Sequence, residues 1–94
     1  MKVKIGPIVY KIKKVKNLRN EVNTRMDGYI DYNNTRISLE KENNHQTVEL
    51  TLWHEIVHGM ATQSSIELEE REVELLAYSL MSLIHDNDLT KLMR

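Results

Sequence analysis

The chain has 94 residues, enough for one domain whose core is modest unless something further, such as a bound metal, staples it. It has no cysteine, which excludes disulfides and thiolate ligands and leaves any metal to His, Asp or Glu. Its 13 basic and 14 acidic side chains nearly cancel, giving no electrostatic footprint for nucleic acid.

Lys2–Ile5 is expected to form a short strand, ended by Gly6-Pro7. Residues 8–15, IVYKIKKV, alternate Ile8, Tyr10 and Ile12 with Val9, Lys11 and Lys13. That is the pattern of a half-buried strand with a lysine-bearing outer side. Residues 16–27 are polar and fit a turn or a short helix. In GYIDYNNTRISLE, Ile30 and Tyr32 share a face, Ile37 and Leu39 share a face, and Asn33-Asn34 lies between. Asparagine tolerates positive φ, so the stretch predicts a tight hairpin. Asn33-Asn34-Thr35 also fits a glycosylation sequon, which means little without a secretion signal. From Asn44 the period becomes helical and fades near Gln63. Ser64 and Glu67 have capping-box spacing and predict the start of a second helix, running to about Asp86 and stopped by Asn87.

Strands followed by helices predict an α+β fold, with two helices packed on a small antiparallel sheet in one domain over residues 1–94. No apolar run is long enough to span a bilayer, and MKVKIGPIVYKIKK lacks the apolar centre of a signal peptide, so the chain reads as cytoplasmic with no membrane partner. Lysines crowd residues 1–20 and glutamates crowd residues 67–74. Both runs read as solvated surface: strand faces in the first case, a helix N-terminus in the second.

The first helix carries TLWHEIVHGM, residues 51–60. On a helical wheel of about 100° per residue, Val48, Leu50, Leu52, Trp53, Ile56, Val57, Met60 and Ala61 cover more than half the circumference. His54, His58, Thr51 and Glu55 fall in the remaining sector, and Glu49 is the one misfit inside the apolar arc. This is a mostly buried helix whose polar strip must find partners or line a cleft. Histidines four apart sit one turn from each other, close enough for both rings to reach one ion. Glu55 is offset, so it is placed to act on water rather than to bind the metal. H-E-x-x-H on a helix is the signature of that arrangement. Without cysteine it is not the HExxH of peptide deformylases, which adds a cysteine ligand.

A catalytic zinc takes three protein ligands and keeps one position open. The extended form HExxHxxGxxH is excluded, because Ala61 and Ser64 stand where its glycine and third histidine belong. The third ligand is therefore expected from the next helix, which offers Glu67, Glu69, Glu70, Glu72 and Glu74. Glu67 and Glu72 face solvent on the wheel, which leaves Glu69, Glu70 and Glu74 open.

HEIVHGM combined with EREVELLAYSL resembles the ImmA/IrrE family of zinc metallopeptidases, in particular its short phage- and prophage-type members, over roughly residues 28–84. The family's second motif reads approximately E-x-E-A-[DN]-x-F-A. Glu70, Glu72 and Ala77 match it, whereas Val73, Glu74 and Leu76 replace its Ala, Asp/Asn and Phe. The resemblance implies a zincin-like, gluzincin-type core in which His54, His58 and Glu70 hold Zn2+ and Glu55 is the general base. It puts Glu74 beside a histidine ligand, and it implies a protein substrate, often a regulatory protein such as a repressor of a mobile element.

An oxyanion donor is not marked by any motif; Tyr29, Tyr32, Tyr78, His45 and His85 are the candidates. The hairpin edge offers itself to an extended substrate as an added strand. The leading expectation is a zinc endopeptidase acting on a protein or peptide. The other is a catalytically silent binding module that docks a partner through Met60, Met81 and Met93 or through the lysine-bearing strand. Glu55 favours the enzyme, since a structural site has no use for a carboxylate beside its first histidine.

Overall fold

The computed structural model describes residues 1–93. It is an α+β fold. β1 (Lys2–Ile5) and β2 (Ile8–Val15) form an antiparallel hairpin, followed by β3 (Gly28–Asp31) and β4 (Arg36–Glu40). Then come α1 (His45–Gln63), α2 (Glu70–Asp86) and a last turn, α3 (Leu89–Leu92).

The sheet is mixed, which corrects the antiparallel expectation. Its order is β1-β2-β4-β3, and β2 and β4 run parallel with Ile12 beside Ile37. Each hairpin is legible locally, but the join between hairpins is a long-range pairing that no local signal encodes. Residues 16–27 contain no helix. They fold as a narrow ribbon, with Met26 N–H donating to Leu18 O and Asn20 N–H to Thr24 O, both at 3.0 Å. The β3–β4 turn also differs from expectation: the left-handed residue is Thr35 (φ 49°), not an asparagine. Asp31 stabilises the turn instead, accepting from the Asn34 backbone at 3.1 Å and from its side-chain amide at 2.9 Å.

One sheet face is covered. Ile5, Tyr10, Ile37 and Leu39 are buried there against Val48, Leu52 and Ile56 of α1. On the other side of α1, Leu50, Trp53 and Val57 pack against Val73 and Ala77 of α2. The broad apolar arc of α1 is thus two stripes, one for the sheet and one for α2. Gly59 permits the close crossing, since a Cβ there would lie 2.9 Å from Ile5 Cδ1 and 3.2 Å from Ile30 Cδ1.

α1 starts where expected, with Asn44 capping Thr47 N–H at 2.9 Å. Ser64 stops α1 rather than starting α2. Ser65 is left-handed (φ 55°), its N–H donates to Thr62 O, and Ile66 N–H donates to Ala61 O at 2.9 Å. That is a Schellman closure with a serine in the place usually taken by glycine. α2 is capped at Glu69 instead, whose backbone N–H donates to the Glu72 carboxylate at 2.9 Å.

Candidate metal centre

The polar strip of α1 faces the first turns of α2. Capping by Glu69 makes Glu70 the first helical residue, and its carboxylate turns towards α1. Glu70 Oε2 lies 3.1 Å from His54 Nε2, and Glu70 Oε1 lies 3.0 Å from His58 Nε2. The two Nε2 atoms are 3.2 Å apart. One ligand atom from each of the three residues lies within 4.8 Å of the others, so His54, His58 and Glu70 form a group that can hold a metal ion.

The donor set passes a simple test of fit. Ligands about 2.0–2.1 Å from a tetrahedral ion stand roughly 3.3 Å from one another; the two Nε2 atoms, 3.2 Å apart, meet that spacing, and each is reached by a different oxygen of Glu70, at 3.1 and 3.0 Å. Two imidazole nitrogens and a carboxylate converging on one point favour a cation electrostatically. The ring orientation is also fixed. His54 Nδ1 lies 2.8 Å from Glu74 Oε2, so Nδ1–H donates to that carboxylate and the Nε2 lone pair faces the site.

The five glutamates are now sorted. Glu70 is in the group and Glu74 orients His54. Glu69 and Glu72 share the α2 cap, and Glu67 lies in the exposed connection.

Glu55 is only 7% exposed. Burial pushes its carboxyl up to about 7; the nearby Glu70 charge pushes the same way, and His54 pulls against both. It opens onto a cleft of about 440 Å³ that also contains His54, Thr51, Asn20, Thr24 and Arg25. One wall of this cleft is the ribbon of residues 16–27, which sequence reasoning left without a role. Glu40 holds that ribbon in place. Its carboxylate is 1% exposed and accepts backbone N–H groups of Leu18 (2.8 Å), Glu42 (3.0 Å) and Asn17 (3.3 Å). The bonds from Glu42, Leu18 and Asn17 hold its pKa below the usual carboxylate value. Strand alternation puts Glu40 on the side opposite Ile37 and Leu39, so the sequence signals an exposed residue; only the returning ribbon buries it.

None of the five oxyanion candidates lines this cleft. Tyr29 lies on the outer sheet face, and the Tyr32 hydroxyl accepts from Thr62 Oγ1 at 3.0 Å. His45, Tyr78 and His85 gather instead around the start of α1, where His85 pairs with Glu49, the misfit of the apolar arc. The side-chain donors that do line the cleft include Asn20, Thr24, Arg25 and Thr51.

No helix among the described residues is long and apolar enough to cross a membrane. No protein-family model matches the chain, and neither the curated proteins nor the solved structures give a match.

Proposed function

We propose that this chain is a zinc-dependent endopeptidase with a zincin-like core, of the kind the ImmA/IrrE resemblance implies, acting in the cytoplasm on a regulatory protein. The observation that carries the reading is the convergence of His54 Nε2, His58 Nε2 and a Glu70 carboxylate oxygen within 4.8 Å, with buried Glu55 next to His54 on the same helix. His54, His58 and Glu70 are the residues that hold the ion. Zn2+ bound with an open position supplies Lewis acidity, which acidifies water and polarises a carbonyl.

Glu55 does the proton work. Its carboxylate takes a proton from the attacking water and returns it to the leaving amine nitrogen. Glu74 keeps His54 in the tautomer that presents Nε2. β3 is an edge strand, and Gly28 at its start lines the cleft. An extended substrate paired to that edge is thereby led across the site.

The test compares wild type with Glu55→Gln for bound zinc and for cleavage of a peptide library. Equal zinc with cleavage lost only in the variant supports the peptidase. No cleavage by either protein leaves a binding module.

A further inference from the structure

α1 covers one face of the sheet, and much of the other is bare. On the bare face the strand register collects basic side chains. Lys2 of β1, Lys11 of β2 and Arg36 of β4 are consecutive neighbours in one row across the sheet. In the next row Lys13 stands beside Ser38, and Ser38 beside Tyr29. Lys4 lies on the same face, next to Val9. All these positions alternate with Tyr10, Ile12 and Ile37, which point to α1. At the β4 end this face hollows into a pocket of about 450 Å³ lined by Lys13, Arg19, Arg36, Tyr29, Ser38 and Leu18.

Protection of an exposed sheet edge accounts for lysines on β1, which is an edge strand. It does not account for Lys11, which is paired to Lys2 of β1 on one side and to Arg36 of β4 on the other. Like charges directly opposite each other destabilise a sheet, and Lys11 has a cation on each flank. Among the described residues the carboxylate that bridges to this row is Asp31, the direct neighbour of Arg36 on β3 and 3.9 Å from it. An acid at position 11 would stand between Lys2 and Arg36 and relieve that repulsion.

We infer that this outer face binds the phosphate backbone of a single-stranded nucleic acid, with Tyr29 receiving a base in the pocket beside Lys13, Arg19 and Arg36. Alternate residues on a strand stand about 6.8 Å apart, so Lys11 and Lys13 match the spacing of successive phosphates on an extended strand. A basic groove beside an aromatic ring is the arrangement that holds single strands without reading sequence. The near-zero net charge of the chain averages over this face and the glutamate-rich start of α2, so the balance that argued against nucleic acid hides a segregated cationic surface.

The test is fluorescence anisotropy with labelled single strands of about 12 nucleotides, DNA and RNA, read from about 50 to 200 mM salt. A glutamate-rich peptide of equal charge serves as competitor. Saturable binding is expected to weaken steeply with salt and to fall about tenfold or more in Lys11→Glu. That same variant is expected to melt at a higher temperature than wild type, so lost binding cannot be ascribed to unfolding. Tyr29→Ala should weaken the oligonucleotide but leave binding of inorganic polyphosphate unchanged. The inference fails if single strands do not bind at the lowest salt or if Lys11→Glu binds as tightly as wild type. Equal competition by the acidic peptide would also overturn it, by making the face a dock for an acidic protein.

Discussion

His54 Nδ1 and Glu74 Oε2 meet at 2.8 Å across the α1–α2 interface. This contact sets which nitrogen of His54 is left for the metal group. Glu74→Gln replaces a charged acceptor with a weaker one and is expected to lower zinc affinity about 10–100-fold while keeping one ion per chain. Glu70→Ala removes the proposed third ligand outright and should lower affinity further. Competition against a chromophoric chelator ranks the two. If Glu74→Gln proves the more damaging, Glu74 is the ligand and Glu70 its neighbour.

Removing the metal should loosen the whole chain, because the group joins two helices. An ion present at about a hundred times its dissociation constant adds about 2.7 kcal/mol, which for a domain of this size is about 10 °C or more in melting temperature. A chelator is expected to abolish that increment in wild type and to have no effect on His54→Ala. Equal melts of wild type with and without chelator would show that no ion binds.

Glu55 gives a pH signature in the metal-free protein. Its pKa rises from 4.5 to about 7 on folding, chiefly through burial. The fold therefore favours the protonated acid. That preference is complete below pH 4.5 and is lost as the pH climbs through 7. Glu55→Gln mimics the neutral acid, so it should match wild type near pH 4.5 and be more stable above pH 7, by up to about 3 kcal/mol. Urea unfolding with chelator at both pH values checks this; a variant less stable than wild type at pH 8 would contradict it.

Glu40 behaves in the opposite sense. Three backbone N–H groups hold its pKa down. Its contribution is present above the ordinary carboxylate range and lost as the pH falls through the lowered value. Glu40→Ala orphans the buried Leu18 N–H. The expected result is a lower melting temperature and faster amide exchange at Asn17 and Leu18, with the ribbon released from the cleft. Unchanged exchange at Leu18 would mean that the ribbon holds itself.

Gly28 tests how tightly α1 seats on the sheet. A Cβ there would lie 2.6 Å from Thr51 Cγ2 and 2.9 Å from the Ser38 carbonyl oxygen. Gly28→Ala is expected to cost about 1–3 kcal/mol. Thr51→Ala should recover only part of it, because the carbonyl cannot move aside.

What the sequence made legible follows how far each signal reaches along the chain. His54, Glu55 and His58 share one turn of helix, so spacing alone groups them. Glu70 lies in the next helix, where helical periodicity left Glu69 and Glu74 equally open; the resemblance singled it out. The Ser64–Glu67 spacing misled, because a serine also suits the end of a helix. The parallel pairing of β2 with β4 and the folding back of residues 16–27 depend on partners 20 or more residues apart. Polar composition conceals such partners, and the buried role of Glu40 was concealed in the same way.

α2 rests mainly on α1 through Val73 and Ala77, while Leu75, Leu76 and Leu83 stay exposed. On the proposed reading, a helix fastened on one side only owes much of its attachment to an ion held between the two helices. A newly made chain that meets no zinc would hold α2 loosely and display greasy surface to the quality-control proteases of the cell. On that reading the amount of this protein in a cell should track the zinc supply, with scarcity acting on the lifetime of the chain.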